Sequence, residues 1–116
     1  MSIKSQLLTP IKQTPISITI LGGEYNVTRL TAARLNSYDK DIKKHQADNN
    51  GEKLNEASAA LVLDSIIDED GLPMSSSVST SDLMCVHTPT AINAAVTRLI
   101  QLNFMGEGAE AEAKNA

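Results

Sequence analysis

The chain has 116 residues, enough for one domain with a modest core, and its 41% hydrophobic content is that of an ordinary globular protein. Aromatic residues make up only 3%, so the core must rest on Leu, Ile, Val and Ala, and only Tyr25, Tyr38 and Phe104 could stack on a base or a cofactor. A net charge of −4 argues against nucleic acid as a main partner, because phosphate binding needs clustered Lys and Arg.

The opening "MSIKSQLL" can form one or two helical turns, and Thr9 to Pro15, with two prolines, then forces an extended or turning link. Ile16, Ile18 and Ile20 alternate with Ser17 and Thr19, the period of a half-buried strand. Gly22-Gly23 supplies the positive φ angles of a two-residue hairpin turn, and Glu24 to Leu30 returns with Tyr25 and Val27 on one face. A lone hairpin is marginal in water, so residues 16–30 must cover the helices.

Thr31 reads as the N-cap of a helix over about 32–49, with Leu35, Tyr38 and Ile42 on one face and Gly51 as the stop. The only basic cluster, Lys40, Lys43 and Lys44, is interleaved with Asp39 and Asp41 and reads as the solvated side of that helix. A stronger helix over about 53–68 carries Leu54, Ala57, Leu61 and Asp64 on one line and Ala60, Leu63 and Ile67 on the next. So broad an apolar face marks the central helix of the core, ended by Gly71 and Pro73. A polar, flexible link follows, with an N-cap at Ser79, Thr80 or Ser81 and a short helix over about 81–86. Thr88 caps the last helix, over 89–105, and Pro89 suits its first position. Ile92, Val96, Leu99 and Asn103 run along one line of it, with Ala95 and Leu102 beside them. The expected globular domain is therefore 1–105, mostly helical, with a disordered acidic tail over 106–116.

The chemistry suggested by individual motifs does not survive their spacing. "DEDGLPM" looks like a calcium loop, yet placing Gly71 at loop position six puts Ile66 at position one and Ser77 at position twelve. Asp70-Gly71 reads instead as a turn after a helix. Cys85 and His87 offer only two of the ligands zinc needs, and as a thiol and base they lack an orienting group and an oxyanion loop. "LGGE" lacks the further glycine and helix start of a phosphate loop. Asp64, Asp68, Glu69 and Asp70 are carboxylates that water solvates at a helix end. No catalytic residue, metal site or cofactor is expected, and the protein is read as non-enzymatic. Cys85 is alone, so no internal disulfide forms; the opening residues do not make a signal peptide. The apolar run from Ala91 to Met105 is broken by Asn93, Thr97, Arg98, Gln101 and Asn103, so no membrane span is expected.

By elimination the chain is a small binding or assembly protein. The order of its features resembles the tail assembly chaperones of long-tailed bacteriophages. The residues that carry the resemblance are Arg29-Leu30-Thr31 leading into a helix, Asp70-Gly71-Leu72-Pro73 ending one, the Asp82-Leu83 step and the final Leu102-Asn103. It spans residues 16 to 105. The resemblance implies a protein that coats the tape-measure protein before the tail tube polymerises, acting in the cytoplasm of the bacterial host and absent from the finished virion. It also implies a longer, frameshifted form that recruits the major tail-tube protein, with residues from Gly106 onward as a tether. A homo-oligomer is compatible with coating a long rod. Leu102, Phe104 and Met105, where the core should thin, are the candidate partner contacts; the alternative is that they cap the core. Two other functions stay open: a structural minor tail or head–tail joining protein, and a small nucleic-acid regulator, which the charge disfavours.

Overall fold

The structure, a computed structural model, describes residues 2–9 and 14–115, with side chains described as far as Phe104. Its elements are α1 (Ile3–Leu7), β1 (Ile16–Ile20), β2 (Gly23–Val27), α2 (Ala32–Ala47), α3 (Gly51–Ser65), α4 (Thr80–Val86) and α5 (Pro89–Asn115), with a single 3₁₀ turn at Met74–Ser76. The class is α+β, as expected: an antiparallel hairpin covers a helical core. Ile18, Ile20 and Val27 pack from the hairpin onto Leu61 and Val62 of α3 and Ile92, Val96 and Leu99 of α5. Ser17 and Thr19 face solvent, so the period-two reading of β1 holds.

The hairpin turn sits one residue earlier than Gly22-Gly23. Ile20 pairs with Gly23 and Ile16 with Val27, which leaves Leu21 and Gly22 as the two-residue loop. Both have positive φ, 53° at Leu21 and 76° at Gly22, the twist that joins two right-handed strands. Gly23 is a strand residue, and the Tyr25 ring lies over it: a Cβ there would stand 3.2 Å from the ring. A left-handed leucine costs about 1–2 kcal/mol. Its half-buried side chain, packed on the core, offsets part of that.

The stop between α2 and α3 is also shifted. Asn49, at φ 53°, takes the left-handed position expected of Gly51. The Asn50 N–H donates to the His45 carbonyl and the Asn49 N–H to that of Gln46, closing α2. Asn50 then caps α3, its side chain accepting from the Lys53 N–H, so Gly51 opens a helix rather than ending one.

α3 stops at Ser65, three residues before the expected end, because Ile66 and Ile67 join the hairpin. The Ile67 N–H donates to Asn26 O and the Thr28 N–H to Ser65 O, each at 2.9 Å. The "DEDG" stretch folds under them as a tight loop, with Gly71 at φ 81°. One Asp68 carboxylate oxygen accepts from the N–H groups of Asp70 (2.9 Å) and Leu72 (3.0 Å), so Asp68 serves the backbone of its own loop. Asp68→Ala should cost about 1.5 kcal/mol, since hydrogen bonds to a charged group are worth about 1.5–3 kcal/mol when buried and less at an exposed loop. Asp68→Asn, which retains an acceptor, should recover most of it in urea unfolding; unchanged stability in the Ala variant would show that the loop does not depend on this oxygen.

The link after Pro73 is ordered rather than loose. Met74 packs on the core, its N–H donates to Ile66 O at 2.8 Å, and the Val78 N–H donates back to Met74 O. Ser79 caps α4 through the Asp82 N–H, and Thr88 caps α5 through the Ala91 N–H, as its position before Pro89 suggests. The helical backbone of α5 continues beyond Phe104 to Asn115, through the residues expected to form the tail. Ala and Glu there have high helix propensity.

Candidate partner-binding surface

The three candidate contacts separate. Leu102 is 1% exposed and belongs to the core, so as a surface residue it is corrected: it lies on the same α5 stripe as Ile92, Ala95 and Leu99. Two residues on, the helix has turned by about 200°, and Phe104 is 74% exposed. Met105 lies outside the described side chains.

Phe104 forms one wall of a hollow of about 320 Å³, lined also by Leu35, Asn36, Tyr38, Asp39 and Ile100. A second hollow, of about 350 Å³, shares Tyr38 and continues along α2 past Ile42 and Gln46 to Leu54, Asn55 and Ser58 of α3 and Asn93 of α5. From Leu35 to Gln46 the two together follow α2 for about 17 Å at 1.5 Å per residue. Their floor is the Leu35, Tyr38 and Ile42 line, the one face of α2 that the sequence spacing picks out. It is only half-covered: α2 has no fully buried residue along its whole length.

Polar groups fix the helices on either side. Arg34 Nε meets Asp64 Oδ2 at 2.7 Å, joining α2 to α3, and the Tyr38 hydroxyl lies 3.4 Å from Ser58 Oγ. At the groove edge Asp39 pairs with Lys43 at 2.8 Å. That hydrogen bond, and then the carboxylate charge, raise the Lys43 pKa above the ordinary lysine value. The pair is exposed, so it marks a solvated rim rather than a source of stability.

The residues that carry the family resemblance turn out to hold the fold. Arg29 Nε donates to Leu102 O at 3.1 Å, and Asn103 Oδ1 accepts from the Leu30 N–H at 2.7 Å. Asn103 Nδ2 donates in turn to Leu99 O. Arg29-Leu30 and Leu102-Asn103, 73 residues apart, are thus two halves of one clasp. Thr31 caps α2, and the Asp82-Leu83 step sits in the capped first turn of α4. Cys85 is exposed, and His87 lines a different, apolar pocket beside the hairpin. Among the described residues no group of three His, Cys, Asp or Glu side chains could hold a metal ion, and no helix is long and apolar enough to cross a membrane.

No curated protein and no solved structure matches the chain significantly. The family model described as "Phage tail assembly chaperone protein, TAC" matches residues 2–112, which includes the clasp, the Asp68 loop and the groove. With nearly its whole length under that match, the chain belongs to the phage tail assembly chaperone family.

Proposed function

We propose that this chaperone binds the tape-measure protein along the α2 groove and keeps it soluble until tube subunits replace it. The observation that carries the reading is the half-covered Leu35–Tyr38–Ile42 stripe, with exposed Phe104 walling its Leu35–Tyr38 end. An amphipathic helix lays apolar side chains at three- and four-residue steps into such a groove. The role is non-catalytic, in keeping with a family that acts through protein contacts in tail assembly. Recruitment of the major tail-tube protein by an extended form is part of the same proposal, as is action in the host cytoplasm before the virion is complete.

Co-expression with the tape-measure protein of the same phage tests it. The wild-type chain should hold that protein in the soluble fraction and co-purify with it. Phe104→Ser should weaken the complex by about 10- to 30-fold, the range for truncating an aromatic anchor, with the helical signal unchanged. Unchanged affinity would remove the groove from the interface. Lasting incorporation of the protein into purified tails would favour a structural tail or head–tail joining role instead.

A further inference from the structure

A second apolar feature lies away from the groove and has a complement elsewhere in the chain. A pocket of about 230 Å³ opens between the hairpin, the end of α3 and α4, lined by Leu21, Tyr25, Ile67, Met74, Val78 and Leu83 among others. It is smaller than small-molecule sites, which run to roughly 300–1,000 Å³, and so suits one or two aliphatic side chains. Its lining comes from residues 21–25 and 63–87, and neither stretch contains a lysine or arginine. Asp68, Glu69 and Asp70 follow directly on Ile67, and Asp82 precedes Leu83, so the surroundings are acidic. Leu21 reaches this pocket from a left-handed backbone position that Gly or Asn would occupy without strain.

The complement is α1. Ile3, Leu7 and Leu8 are 75%, 79% and 72% exposed, and no residue of this helix is buried against its own subunit. Ile3 and Leu7 share a face one turn apart, with Leu8 beside them. The charge is of opposite sign: residues 1–23 contain Lys4 and Lys12 and no Asp or Glu. A helix of five residues is marginal by itself, so docking would stabilise it.

We propose that the Ile3–Leu8 arm of a second copy fills this pocket, Leu7 and Leu8 entering it and Lys4 meeting the surrounding carboxylates. Donor arm and acceptor pocket are different surfaces, so each copy offers both, and contacts either close as a reciprocal pair or propagate along a row. The assembly does not depend on how the groove is used.

Light scattering on the full chain over a range of concentrations tests this. The apparent mass should at least double from 12.4 kDa as concentration rises, and fall back with added salt. The Leu7→Glu/Leu8→Glu chain, altered only at exposed positions, should keep the wild-type circular dichroism and stay at 12.4 kDa. A Val78→Glu chain should also stay monomeric, with Val78→Ser as the milder variant if glutamate unfolds it. Mixing the arm variant with the pocket variant should restore the doubled mass, since one intact arm then faces one intact pocket. A wild-type chain that remains at 12.4 kDa throughout, including one whose arm resists protease by docking on its own subunit, would overturn the proposal. So would an arm variant that associates like the wild type, or a mixture that does not recover.

Discussion

Leu102→Ala should destabilise the protein by about 3 kcal/mol, within the range of about 2–5 kcal/mol for truncating a buried leucine. The side chain is 1% exposed and lies among the largest fully buried residues with Leu61, Ile92 and Leu99. Removing three carbons there loses their transfer free energy and leaves a cavity that two packed helices and a hairpin cannot close. Urea unfolding should show a lower midpoint at unchanged slope. Phe104, two residues away and exposed, should move by no more than about 0.5 kcal/mol when changed to Ser. The pair therefore separates stability from binding within one turn of α5. A neutral Leu102→Ala variant that has lost its partner would reverse the assignment.

The second large effect is expected at Asn103. Its side chain accepts from the Leu30 N–H and donates to Leu99 O, both at 2.7 Å and partly buried. Asn103→Ala leaves the Leu30 N–H without its acceptor, which should cost about 2 kcal/mol, given about 1–3 kcal/mol for an orphaned buried group. Asn103→Asp restores an acceptor for Leu30 but sets a carboxylate oxygen against Leu99 O, so it should fall between wild type and Ala. Hydrogen exchange at the Leu30 amide gives the direct readout: protection should drop sharply in Ala and partly return in Asp. Unchanged exchange in the Ala variant would mean that the Leu30 amide does not depend on the Asn103 side chain.

The parts of the fold legible in the sequence are those set by local chemistry. Alternating isoleucines placed β1, and Thr31 and Thr88 placed the starts of α2 and α5. The misplacements share a cause, which is that several residues nearby could do the same job. Two adjacent glycines left the hairpin turn ambiguous by one residue, and Asn49-Asn50-Gly51 offered three candidates for one stop. Ile66 and Ile67 continue the apolar phase of α3, so only the hairpin edge, distant in sequence, could pull them out of the helix. For the candidate surface, helical phase already puts Leu102 with Ile92, Ala95 and Leu99 and Phe104 on the other side. The open α2 groove was not legible. A stripe of Leu35, Tyr38 and Ile42 looks the same in sequence whether or not a neighbouring element covers it.

The clasp between Arg29-Leu30 and Leu102-Asn103 has a consequence for the order in which the molecule forms. Closing a loop of 73 residues demands chain entropy before any bond rewards it. During synthesis the hairpin and α2 emerge first, with their acceptors on α5 not yet made. The fold therefore locks only when residue 103 is available: until then the isoleucine face of the hairpin has α3 against it but lacks Ile92, Val96 and Leu99 of α5.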